Sequence, residues 1–169
     1  SGIHWVINSL TFDESFKILI PFGIILIPLF LSLFFSITTV LIGPLLNLNF
    51  QSIILFSASL AFSDYIRNFI FTGFPWNLWA YSFSWATEIV QILDKIGLFA
   101  FNLISITIFM LPAVIFLNLK FFKKIYIIVI PILILFMLYI YGNHSINLNQ
   151  KKIQSVDNKL NIKIISPNF

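Results

Sequence analysis

The chain has 169 residues, of which 59% are hydrophobic and 9% charged, with a mean hydropathy of +0.99. With 21 Phe against 10 Lys plus Arg and 6 Asp plus Glu, no charged shell can surround a globular core, so an ordinary soluble domain is excluded and most apolar faces must meet lipid. The net charge of +4 does not point to nucleic acid, because the basic residues stand beside hydrophobic runs as membrane-edge anchors, and the zero Cys count excludes disulfides, thiolate metal sites and a cysteine nucleophile within these residues.

Taken in chain order, Ile3 to Leu10 is too short to cross a bilayer. Ser1 is not an initiator Met, so this run reads as the outer end of a helix that starts before the numbering does. A cleavable signal peptide fits poorly, since no basic n-region precedes it and no small-residue cleavage pattern follows. Four later stretches are apolar over the roughly 20 residues that a helix needs to cross a hydrocarbon core of about 30 Å. The first covers residues 18–42, contains Pro21 and Pro28 as kink sites, and stops at Gly43-Pro44. The second covers residues 52–71 and ends at the breaker Gly73-Phe74-Pro75-Trp76. The third covers residues 96–119 with a kink expected at Pro112, and the fourth residues 125–141 around Pro131. The expectation is an all-α, multi-span helical bundle with at least four transmembrane helices and the end of another, occupying residues 1–142.

Lys120, Lys123 and Lys124 stand together between the third and fourth spans without an acidic residue, which puts that loop on the cytoplasmic side and everything after residue 142 outside. Residues 143–160 turn polar and Asn-rich, as a linker does. Ile162 to Ile165 then reads as a short buried strand ending at Ser166-Pro167-Asn168, the start of a new fold over residues 161–169.

The most informative run extends from Asp64 to Asn77. Asp64 and Arg67 lie three apart on one helix face and can pair, the acid toward the N-terminus as the helix dipole prefers. A charge at the bilayer centre costs about 2.5–3.5 kcal/mol on insertion scales, and pairing or a position near the headgroups removes much of that. A structural ion pair and a group that holds a lipid phosphate are both consistent with this placement. The following Thr72 to Trp76 forms a turn, because Gly73 permits positive φ and Pro75 biases Phe74 toward extended backbone. With Trp79, Tyr81, Phe83 and Trp85 after it, the turn is either part of an interfacial aromatic belt or a portal for acyl chains.

At this run the sequence resembles the apolipoprotein N-acyltransferase family, whose membrane part carries an acidic-x-x-Arg helix end followed by a Thr-Gly-Phe-Pro-Trp turn. Ser1 to Val6 looks like the end of that family's third span, and residues 162–168 look like the opening strand of its nitrilase-like α/β domain. Asp64 stands where Glu is common, Asn68 where Gly often follows the Arg, and Ser166 where Gln usually precedes Pro-Asn. The resemblance implies a bacterial inner-membrane enzyme that moves an acyl chain from a phospholipid donor to the free α-amine of a lipoprotein's diacylglyceryl-cysteine. It implies a cysteine thiolate as nucleophile, a Glu as general base and a Lys for the oxyanion, all of them beyond Phe169, so the chain by itself is expected to be inactive.

Arg67, Asp64, Phe74 and Trp76 are the candidate lipid and substrate contacts, with Gly73 and Pro75 shaping the turn. Neither Lys163 nor Glu88 belongs to a matched motif, and His4 and His144 are isolated, so none of them is assigned chemistry. No metal-ligand spacing or phosphate loop appears, and no cofactor is called for. From a different class, a non-enzymatic transporter or assembly subunit also accommodates broken helices and intramembrane charge, although no internal repeat supports it.

Overall fold

The computed structural model describes residues 11–12, 14–70 and 77–155. Five α-helices carry the architecture among the described residues: α1 (Ile20–Ile42), α2 (Phe50–Ile70), α3 (Thr87–Val90), α4 (Leu93–Phe109) and α5 (Phe121–Gln154). Short 3₁₀ segments at Glu14–Leu19, Gly43–Leu45, Trp79–Phe83 and Leu111–Phe116 join or extend them, and no strand occurs among the described residues. The sequence-predicted strand at 162–165 and the domain it would open lie outside the described residues.

Among the described residues, three stretches are long and apolar enough to cross a membrane: Glu14–Leu45, Phe50–Ile70 and Phe121–Gln154. The first matches the expected span at 18–42, with Pro21 in the opening turn of α1, where its missing N–H costs nothing, and Pro28 inside the helix. The second matches 52–71, and its start is fixed by Asn49, whose Oδ1 accepts the Ser52 N–H at 2.9 Å.

The third expected span, 96–119, is not a single helix. Gly97 has φ 76° and ψ 168°, which breaks α4 near its start, and beyond Met110 the chain tightens into the 3₁₀ segment containing Pro112. Uninterrupted α-helix covers only residues 98–109, a rise of about 18 Å at 1.5 Å per residue. Apolar composition was enough to suggest a span there, but Gly97 and Pro112 set its limits. The fourth, expected at 125–141, extends at both ends, from Phe121 through Pro131 to Gln154. The polar segment read as a linker from residue 143 is therefore helical as far as Gln154.

The hub is α2. Its buried residues Ile53, Ser57, Leu60, Asp64 and Arg67 recur at alternating intervals of four and three, the seam of a helix packed along its length against a neighbour. That neighbour is α4, which buries Phe101, Asn102, Ser105 and Ile106, while α1 covers another side of α2. The helices are antiparallel, since Ile53 clusters with Leu111, Val114 and Leu117, whereas eleven residues later Asp64 meets Asn102. Ser57 and Ser105 are fully buried, and small side chains of this kind let helices approach closely in lipid. A second cluster, Leu78, Ala80, Phe83, Ala86, Ile89 and Phe101, fills the Arg67 end of the pair. The outer faces of α1 and α5 are apolar and exposed, as surfaces turned to acyl chains are.

α5 closes on α3 through Gly142. A Cβ there would lie 1.8 Å from the Glu88 carbonyl oxygen, a backbone atom that no rotamer change can move. Gly142→Ala is expected to cost roughly 1–3 kcal/mol and to loosen α5 from α3; a thermal unfolding midpoint in detergent equal to that of the parent protein would contradict this packing. Ser57 Oγ is buried without a hydrogen-bond partner among the described residues. Ser57→Ala removes an unsatisfied hydroxyl, so the same measurement should show stability unchanged or raised by about 1 kcal/mol.

Candidate functional site

Asp64 and Arg67 sit in the last two turns of α2, on its buried face. Both are 4% exposed, and Arg67 Nη2 donates to Asp64 Oδ1 at 2.9 Å. The i, i+3 spacing that makes pairing possible is thus used, but the guanidinium is turned into the bundle and is not displayed to the headgroups. An ion pair at this depth is stable only if the remaining carboxylate lone pairs are also met.

Asn102 meets them. Its Nδ2 donates to Asp64 Oδ2 at 2.9 Å, and its Oδ1 accepts the Ala80 backbone N–H at 3.1 Å. The amide orientation is dictated by these partners, because the carboxylate needs a donor and the N–H needs an acceptor. One chain of hydrogen bonds therefore runs Arg67, Asp64, Asn102, Ala80 and joins α2, α4 and the 3₁₀ segment Trp79–Phe83. Asn102 was not singled out from the sequence; the available signal was a lone amide in the run Leu98 to Ile104, where every other side chain is apolar.

The network lies at the end of α2 and close to where the described chain resumes at Asn77. Gly73, Phe74, Pro75 and Trp76 fall outside the described residues, as do His4 and Lys163. The chain resumes at Asn77 with φ 51°, a left-handed conformation that Asn tolerates better than most residues. The aromatics that follow divide by direction. Trp79 packs on Phe109 with ring centroids 5.6 Å apart and Phe83 on Phe101 at 5.6 Å, whereas Tyr81 and Trp85 face outward. Tyr65, one residue after Asp64, contacts Phe69 at 4.8 Å and Phe99 at 5.2 Å, edge to face. The expected belt is thus half packing and half surface.

Asn77, Leu78, Trp79, Tyr81 and Ser82 line an open cleft of about 420 Å³. Partial burial pushes the Tyr81 hydroxyl above its ordinary pKa, so at neutral pH it is a hydrogen-bond donor. A second, almost wholly apolar groove of about 350 Å³ runs between α1 and α2, lined by residues that include Phe34, Leu41, Phe62 and Ile66. No group of three or more metal-ligating side chains occurs among the described residues. Glu88 is half-buried in the first turn of α3, and His144 is exposed on α5; neither joins the network.

Comparison with known proteins identifies the sequence's relatives. Residues 1–113 match the family model of the apolipoprotein N-acyltransferase N-terminal domain. Among curated proteins, the apolipoprotein N-acyltransferase of Brucella melitensis is 31% identical over 114 residues, which cover 67% of this chain and 21% of the relative. That of Rhodopseudomonas palustris is 30% identical over 114 residues, with 67% and 21% covered, and that of Rickettsia bellii 33% over 109 residues, with 64% and 22% covered. The matched part of the chain thus spans about a fifth of the length of these relatives. No solved structure gives a significant match. The transporter or assembly-subunit alternative is not favoured by these matches. With a family model that covers two thirds of its length and a relative 31% identical over 67% of it, the chain belongs to the apolipoprotein N-acyltransferase family.

Proposed function

We propose that the chain is the membrane part of an enzyme that transfers an acyl chain from phospholipid to the N-terminal diacylglyceryl-cysteine amine of lipoproteins in the bacterial inner membrane. The observation that carries the proposal is the family match over residues 1–113, within which the Asp64–Arg67 helix end and the aromatic turn both fall. The chemistry needs a thiol: a thiolate attacks the phospholipid ester, the lysolipid alkoxide leaves and is protonated, and the lipoprotein amine then displaces the thiol from the thioester. These 169 residues hold no Cys, so the nucleophile, and with it the Glu and Lys of the resemblance, belongs to a nitrilase-like domain outside them.

In this reading the bundle anchors that domain and admits lipid. Phe74 and Trp76 make the acyl contacts at the turn, Arg67 and Asp64 support them from the end of α2, and the cleft at Asn77, Tyr81 and Ser82 receives the polar part of the lipid. Lys120, Lys123 and Lys124 at the start of α5 support a cytoplasmic position for that end, because three cations at a helix N-terminus oppose the helix dipole and owe their place to the membrane surface. The residues after 142 are then periplasmic, where α5 extends about 18 Å further at 1.5 Å per residue.

The complete protein, reconstituted with phospholipid and a diacylated lipopeptide, is expected to add one acyl chain to the peptide amine, read as a mass increase; no addition would contradict the reading. Arg67→Ala in that protein should lower acylation about tenfold or more, with membrane insertion retained, and Arg67→Lys should fall between, since an ammonium keeps charge without the planar fork. Unchanged acylation in Arg67→Ala would remove Arg67 from the site.

A further inference from the structure

Charge is divided between the two ends of the bundle. At one end Glu88 lies against Gly142 of α5, Asp94 opens α4, and Glu14 precedes α1. At the other, where Ile53 clusters with Leu111, Val114 and Leu117 and where Leu119 and Ile127 pack on that cluster, α5 begins with Lys120, Lys123 and Lys124. Glu14 and Asp94 are paired with Lys17 and Lys95, and Asp64 with Arg67. Glu88 is held beside Gly142, about 27 Å along α5 from Lys124 at 1.5 Å per residue. Among the described residues, the three lysines therefore have no carboxylate partner.

The lysines share one side of the helix start. Positions 120, 123 and 124 are three and four apart, a spacing that brings side chains together on a helix surface. Lys124 Nζ donates to the Ile115 carbonyl at 2.7 Å, which holds that ammonium against the 3₁₀ segment Leu111–Phe116 and leaves two of its three protons for another acceptor. Lys120 and Lys123 are exposed. The surface around them is apolar: Phe116, Phe121 and Phe122 are exposed, and the rows Phe121–Ile125 and Phe122–Tyr126 carry that surface along α5 into the membrane-crossing stretch.

We propose that this lysine face binds the headgroup of an anionic phospholipid, whose acyl chains lie on the apolar rows of α5. Three neighbouring cations repel one another, and at the start of a helix they also oppose its dipole, so the cluster is unfavourable until an anion joins it. A headgroup of net negative charge meets all three ammonium groups, whereas a zwitterionic one brings its own cation against them. A free anion would use the charge and leave the exposed rings unused. A lipid uses both, because the rings stand where its chains begin. Near a membrane surface each lysine strengthens the hold on anionic lipid about fivefold.

The test titrates the complete protein in detergent with phosphatidylglycerol, phosphatidylcholine or inorganic phosphate, and counts bound molecules by native mass spectrometry. The unmodified protein is expected to hold phosphatidylglycerol about tenfold or more tighter than phosphatidylcholine, with the preference shrinking as salt is raised. Lys120→Gln with Lys123→Gln, which leaves the Lys124 bond to Ile115 in place, should lower phosphatidylglycerol affinity about tenfold or more and leave phosphatidylcholine binding unchanged. Lys120→Arg with Lys123→Arg should keep the preference. Lys151→Gln with Lys152→Gln, the same charge loss at the far end of α5, should also keep it. Equal affinity for the two lipids in the unmodified protein, or a preference indifferent to salt, overturns the proposal whether or not any variant folds. So does an unchanged preference in the Lys120/Lys123 Gln variant, an equal loss in the Lys151/Lys152 variant, or inorganic phosphate bound as tightly as phosphatidylglycerol.

Discussion

A carboxylate and a guanidinium buried together in an apolar seam constrain everything packed around them. Taking each charge out of water costs several kcal/mol even after relaxation, and the loss is offset only when the partners stand at bonding distance and the remaining lone pairs are filled. Asp64 gives one oxygen to Arg67 and the other to Asn102, and Asn102 passes its own oxygen to the Ala80 N–H. Slipping α4 along α2 by one turn would break two of these bonds at once. Apolar contacts cannot fix the register in the same way, because lipid tails are as apolar as the Leu and Phe side chains they would replace.

The rest of the bundle follows from that fixed register. Ile53 is carried to Leu111, Val114 and Leu117 at one end, and Phe101 to Leu78, Ala80 and Phe83 at the other. The 3₁₀ segment Trp79–Phe83 is held from both sides, by the Ala80 hydrogen bond and by the rings of Trp79 and Phe83 on α4. α5, whose surface is almost entirely turned outward, joins through the backbone contact between Gly142 and Glu88 and through Lys124, whose Nζ donates to the Ile115 carbonyl. These polar interactions sit where helices meet.

Much of this was legible from composition and punctuation. Runs of Ile, Leu and Phe between Gly-Pro and Asn-rich breaks locate α1 and α2 within a few residues, and the i, i+3 spacing of Asp64 and Arg67 gives their pairing. The limits of α4 were harder to read, because Gly97 and Pro112 are single residues in an apolar run and their effect depends on backbone angles that periodicity does not carry. The helical course of residues 143–154 was hidden by Asn and Ser, which favour turns in isolation but continue a helix that the preceding apolar turns have already nucleated. Asn102 was invisible for a different reason: its partners lie 38 and 22 residues away, and no local pattern encodes a tertiary hydrogen bond.

The network lies within the part of the chain that matches the apolipoprotein N-acyltransferase N-terminal domain. Its energetic premise is that Asp64 and Asn102 act as one unit across two helices. A double-mutant cycle on the unfolding free energy in detergent, with Asp64→Leu, Asn102→Leu and both together, measures that directly. The account predicts a coupling of roughly 1–2 kcal/mol, the double variant being less destabilised than the sum of the singles; strictly additive effects would contradict it.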